Sequence, residues 1–157
     1  MVEILVGMIA SGKSTWAKKR AKEGWIIIND DSIVNAVHAD DYLLYQENLK
    51  PLYKSVEDHI FHTAIAMQLN VVIDRGLSLS ADARRRWIAL GSSLDTPVNA
   101  ILFEVFDPET HAQRRYNADS RGHNIEYWQH VARRHHSVFQ VPTMEEGLIS
   151  VEIKNWE

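Results

Sequence analysis

The chain of 157 residues has the length of one domain, and its 45% hydrophobic content is enough to bury a core. It holds no cysteine, which excludes disulfides and thiolate metal sites, and its net charge of -4 argues against a protein that coats nucleic acid through a broadly basic face. No apolar run approaches the ~18 residues that span a bilayer, and Met1-Val2-Glu3-Ile4 lacks the basic-then-apolar layout of a signal peptide, so a cytoplasmic protein with no membrane partner is expected.

Strand and helix signals alternate along the chain, the pattern of βαβ units on a parallel sheet. Residues 2–6 predict a first strand that runs into a glycine loop, with a helix from about Ser14. Residues 25–28 are an almost continuous apolar run, as a strand covered on both faces should be. A helix over 54–69 places Val56, Ile60, Ala64 and Met67 on one stripe. A third strand, 71–73, ends at Asp74, and Ser80 then reads as an N-cap, with Trp87 and Ile88 facing the core. The fourth strand is 100–106, and Asp107-Pro108-Glu109 opens a helix with a cap, a proline at its first position and an acid in its first turn. A further helix over 125–138 and a fifth strand over 151–153 complete a single α/β domain over 1–157.

The segment Gly7-Met8-Ile9-Ala10-Ser11-Gly12-Lys13-Ser14 fits Gly-x-x-x-x-Gly-Lys-Ser, a phosphate-cradling Walker A loop. Gly7 and Gly12 permit the tight turn, and the N–H groups of the loop, Ala10 and Ser11 among them, point at the anion. The helix N-terminus adds its positive end. Lys13 reaches the β- and γ-phosphates, and the Ser14 hydroxyl binds Mg²⁺; Thr15 is a loop-anchoring hydroxyl. The strand before and the helix after supply the context the motif requires. The chain is therefore expected to bind ATP or another nucleoside triphosphate with Mg²⁺.

Ligand chemistry in open α/β sheets lies at the carboxyl ends of the strands. Asn29-Asp30-Asp31-Ser32 ends the second strand, and Asp31 is placed to take the proton of an attacking hydroxyl. Adjacent acids are also helix-capping material, a role open to Asp30. Asp74 ends an apolar strand, the place of a carboxylate that holds Mg²⁺ directly or through water. Arg75 beside it and Arg85 on the next helix are candidate acceptor contacts; Arg84, Arg85 and Arg86 are consecutive, so they cannot all face one way. Nine arginines and one lysine, Lys54, lie between Tyr53 and Lys154, and arginine's planar fork suits phosphate oxygens. Tyr42, Tyr45 and Tyr53 could stack on an acceptor base. Trp16, Trp87, Trp128 and Trp156 read as core, and His130, His135 and His136 as surface or core histidines rather than metal ligands.

The set and order of these motifs resemble the 5′-hydroxyl polynucleotide kinases of phages and bacteria. The resemblance runs through residues 7–17, Ile-Asn-Asp-Asp-Ser-Ile at 28–33, Val-Val-Ile-Asp-Arg-Gly-Leu-Ser-Leu-Ser at 71–80, Arg-Arg-Arg-Trp at 84–87 and Pro-Thr-Met-Glu-Glu-Gly at 142–147. It implies a P-loop kinase fold with strand order 2-3-1-4-5, ATP-dependent phosphorylation of the 5′ end of DNA or RNA, and Asp31 as general base. It also implies a lid over about 109–124, where Asn117-Ala118-Asp119-Ser120-Arg121-Gly122 matches and Arg121, then Arg115, would close on the triphosphate. Any phosphatase or ligase partner would be a separate protein. Two positions depart from the pattern: Val34 stands where the family has an arginine that docks the acceptor, and Arg75-Gly76 stand where it often has Thr-Asn. A kinase of another hydroxyl, on a modified DNA base, a nucleoside or a small metabolite, is the alternative that Val34 keeps open.

Overall fold

The computed structural model describes residues 1–120 and 122–155. Five strands form one wholly parallel sheet of order β2-β3-β1-β4-β5. They are β1 (Val2–Val6), β2 (Ile26–Ile28), β3 (Val71–Ile73), β4 (Val98–Phe103) and β5 (Ser150–Lys154). The helices are α1 (Lys13–Lys22), α2 (Asp30–Val37), α3 (Lys50–Ala66), α4 (Ala81–Ser93), α5 (Pro108–Asn117) and α6 (Ile125–Val138). The expected fold class and strand order hold. Among the described residues no helix is long and apolar enough to cross a membrane.

The central strands β1 and β3 are buried along their whole length, so side chains of both parities enter a core. Val2, Ile4 and Val6 meet Ile28, Ile73, Phe61 and Trp87 on one face, while Leu5 meets Val72, Ile101 and Ala17 on the other. Register places Ile28 beside Ile73 and Ile73 beside Ile4, so β2 and β3 finish together while β1 runs on to Val6. The chain leaves that edge as the glycine loop, as Asn29-Asp30-Asp31 and as Asp74-Arg75.

Caps explain several boundaries. Ser80 accepts from the Ala83 N–H at 3.2 Å and Asp107 from the Thr110 N–H at 2.9 Å, as expected. At α2 the cap is Asn29, which accepts from the Ser32 N–H at 2.9 Å; Asp30 and Asp31 instead occupy the first turn. The strand β2 starts at Ile26 rather than Trp25, and β4 runs from Val98, the partner of Val2, rather than from Ala100 to Phe106. The helix α3 starts at Lys50, with Pro51 in its first turn, and its buried stripe is Tyr53, Glu57, Phe61 and Ala64. Of the expected stripe, Ala64 is buried and Val56 and Ile60 pack partly buried against the core, whereas Met67, just past the helix end, is 64% exposed; beside them the carboxylate of Glu57 is drawn inward by Arg75 and Arg86. Trp87 and Trp128 are buried, whereas Trp16 is half-buried with its indole N–H donating to Glu3 at 3.0 Å. Trp156 lies outside the described residues.

The consecutive arginines of α4 separate into three roles. Arg84 is 0% exposed and donates to both oxygens of Glu146, at 2.8 and 2.7 Å, and to the Ser78 carbonyl at 3.1 Å. The segment 142–147 thus clasps α4 to the sheet rather than entering a site. Glu146→Ala strands a buried cation and should lower the unfolding free energy by about 3–5 kcal/mol. Chemical denaturation checks this, and the double change Arg84→Met with Glu146→Leu should recover most of the loss; equal stability of Glu146→Ala and the parent would refute the clasp.

Candidate active site

The glycine loop is held by packing as much as by torsion. A Cβ at Gly7 would lie 2.6 Å from Ser11 Oγ and 3.0 Å from Phe103 Cβ, so the loop closes only over glycine. Gly12 has φ 96°, in the left-handed region, and caps α1. Lys13 folds back on the loop, its ammonium donating to the carbonyls of Gly7 at 2.7 Å and Met8 at 2.6 Å. Burial of that ammonium holds its pKa down at about 8, against the opposing pull of Asp74 and Asp30.

Beside the loop, Asp74 is 5% exposed, accepts from Asn29 Nδ2 at 3.3 Å and has the Ser14 side chain beside it. Burial raises its pKa, and Lys13 opposes this. Ser14 and Asp74 are a hard oxygen pair suited to a divalent cation that keeps most of its other ligands from phosphate and water. Among the described residues no cluster of three or more His, Asp or Glu could hold a metal by itself, so an ion here depends on a phosphate ligand.

Two cavities meet at the ends of β2 and β3. The larger, about 640 Å³, is lined by the glycine loop, Asp74, Arg114 and Arg115 as well as by Asp30 and Asp31. The smaller, about 360 Å³, shares Asp30 and Asp31 and is bounded by Val34, Tyr42, Tyr45 and Arg75. Gly12, Lys13, Ser14, Thr15, Ala10 and Ser11 all line the larger cavity, as does Arg115, whose guanidinium lies 4.7 Å from the Trp128 ring. Arg114 lines it too, stacked on Phe106 at 4.2 Å. Arg121 lies outside the described residues. Gly122 has φ +79° with open space around its Cα.

Arg85, expected as an acceptor contact, does not line the smaller cavity. Arg85 is exposed and pairs with Asp82 on its own helix at 2.6 Å; Arg86 faces the cavity instead, held by Glu57 at 2.7 Å. One helix turn carries three arginines around the axis, and only the sheet behind α4 decides which one faces inward. Arg75 is set by its Nε, 3.3 Å from Glu57 and 3.6 Å from Asp30. Burial raises the pKa of Asp30, and Arg75 opposes this. Tyr42 stacks on Tyr45 at 6.2 Å and Tyr45 on Tyr53 at 5.6 Å. Tyr42 and Tyr45 line the cavity, whereas Tyr53 is buried behind them with its hydroxyl 2.7 Å from His38. Glu57 and His111, both buried, carry no signal in the sequence, since their partners lie far along the chain.

Fold and site together define a kinase-like P-loop domain: a phosphate loop, a buried carboxylate for a cation, and a second cavity joined to the first by acids. The chain belongs to the AAA domain family, which matches residues 2–142. Among solved structures it is similar to shikimate kinase from Acinetobacter baumannii in complex with shikimate, at 15% identity and TM-score 0.61, covering 99% of this chain and 84% of that one. A gluconokinase from Sinorhizobium meliloti 1021 is similar at 16% identity and TM-score 0.59, covering 98% and 81%. Kti12 from Chaetomium thermophilum in complex with ADP-AlF3 follows at 14% and 0.60, covering 100% and 90%. At these identities the likeness is one of fold. No curated protein sequence matches the chain.

Proposed function

We propose that this protein transfers the γ-phosphate of a nucleoside triphosphate to a hydroxyl of an acceptor seated in the smaller cavity. The observation that carries this reading is the junction: the only acids shared by the two cavities, Asp30 and Asp31, lie where a γ-phosphate and an acceptor hydroxyl would meet among the described residues. Asp31 takes the hydroxyl proton, Lys13 and the loop N–H groups hold the β- and γ-phosphates, and Arg114 and Arg115 cover the triphosphate from α5. Ser14 and Asp74 would hold Mg²⁺, which would supply charge neutralisation of the phosphates.

The acceptor that fits best is a molecule of metabolite or nucleoside size, since the cavity of about 360 Å³ is at the small end of ligand sites. The named kinases among the similar structures, for shikimate and gluconate, make this class of acceptor the better supported one. Arg75 takes over the anchoring that Val34 cannot give. Glu57 and Asp30 hold the guanidinium by charge, at 3.3 and 3.6 Å from Nε without a hydrogen bond there, and its terminal N–H fork would meet an oxyanion of the acceptor. A 5′-hydroxyl end of DNA or RNA is the second reading, favoured by the Tyr42–Tyr45 stack in the cavity wall, a surface on which a base could lie.

Competition of nucleosides, hydroxy acids and 5′-hydroxyl oligonucleotides for phosphate from ATP separates the two. Arg75→Gln should raise the acceptor KM roughly 10- to 100-fold, the worth of a charge-assisted hydrogen bond, and leave the ATP KM unchanged. A change confined to the ATP KM would place Arg75 outside acceptor binding.

A further inference from the structure

We infer that His111 is a positioning residue of the phosphate loop: it holds the Ile9 carbonyl away from the cavity and so aims the Ala10 N–H at a bound phosphate. The inference rests on the nucleotide-binding reading above and extends it to a side chain that lines neither cavity.

His111 sits in the second turn of α5 and is 0% exposed. The Phe106 N–H donates to its Nε2 at 3.0 Å, so Nε2 carries a lone pair. The ring is then neutral with its proton on Nδ1, and Nδ1–H donates to the Ile9 carbonyl at 2.8 Å. The tautomer is thus set by a backbone donor, which has only one role open to it.

The Ile9–Ala10 peptide is trans, as are all others described, so its C=O and N–H point in opposite directions. With the carbonyl drawn to His111, the Ala10 N–H is turned the other way, and Ala10 lines the nucleotide cavity. Ala10 has φ 51°, a left-handed conformation that costs a non-glycine residue energy and persists only where its surroundings enforce it. The buried strap supplies that enforcement. One turn further along α5 stand Arg114 and Arg115, which line the same cavity, so His111 also sets the distance from the loop to these arginines. Lys13 of the loop, Asp107 and Arg114 of α5 and His135 of α6 are the charged and titratable groups around the ring.

Two substitutions separate the ends of the strap. Asn places an amide N–H near the position of Nδ1 and keeps the bond to Ile9; Gln places an oxygen near Nε2 and keeps only the bond to Phe106. Dissociation constants for Mg·ATP by calorimetry should stay within about threefold of the parent in His111→Asn and rise about tenfold in His111→Gln, a split that general loosening of the fold would not produce. Should neither variant fold, ¹⁵N spectra of the parent chain decide: the proton must sit on Nδ1, and the Ala10 amide must shift on adding ADP. Parent-like affinity in His111→Gln, a proton on Nε2, or an Ala10 amide indifferent to ADP would each overturn the assignment. A parent chain that binds no nucleotide would overturn the nucleotide reading with it, whereas parent binding with an unaffected Gln variant removes His111 alone.

Discussion

Lys13→Ala should reduce phosphate transfer by on the order of 10²–10³ in kcat, as removal of a single preorganised donor to transition-state charge does elsewhere. The ammonium has no charged substitute in the loop: the remaining donors there are backbone N–H groups and hydroxyls, and Arg114 and Arg115 belong to α5. Its present partners are the Gly7 and Met8 carbonyls, which it would exchange for phosphate oxygens. The exchange has a pH signature. Before nucleotide is added the ammonium titrates at about 8, held down by burial, and a neighbouring triphosphate raises that value. Binding between pH 8 and the higher bound-state pKa therefore takes up a proton. The dissociation constant for ATP should weaken as pH rises through about 8 in the parent chain, and should be flatter over that range in Lys13→Met. Calorimetry in two buffers of different ionisation enthalpy measures the uptake directly; its absence above pH 8 would show that the ammonium does not meet the phosphates.

Asp31→Asn should lower kcat by roughly 10²–10⁴, the usual contribution of a positioned base, while ATP affinity changes little. Asn is close in shape, keeps its place in the first turn of α2 and loses the negative charge and with it the ability to take a proton. The neighbouring acid serves as the comparison. Asp30 lies 3.6 Å from Arg75 Nε and accepts from the Asp31 N–H at 3.2 Å, so it holds cation and backbone rather than facing a proton. Asp30→Asn should therefore act mainly on the acceptor KM. Pre-steady-state transfer rates for both variants distinguish the roles, and the reverse ranking would move the base to Asp30.

Much of this architecture was readable residue by residue. Val2–Val6 leads into the glycine loop, and Asp107-Pro108 opens α5, because a cap and a proline are local devices that need no partner far away. Strand order followed from the alternating pattern and the resemblance together. What stayed hidden depended on long-range partners. Glu57 is 2% exposed on α3 because Arg75, just past β3, and Arg86 of α4 reach it, a pairing that periodicity does not show. Which of Arg84, Arg85 and Arg86 faces inward depends on Glu146, far along the chain, which stands against Arg84. His111 stands in no motif; its role depends on a carbonyl 102 residues earlier in the chain.

The central claim, that phosphate passes from nucleotide to an acceptor hydroxyl rather than to water, is tested most directly by following the label of γ-³²P-ATP with Mg²⁺ and a mixed set of hydroxy acids, nucleosides and 5′-hydroxyl oligonucleotides. The account predicts label on one acceptor, dependent on Lys13 and Asp31. Label released only as inorganic phosphate, with every acceptor unmarked, would contradict it.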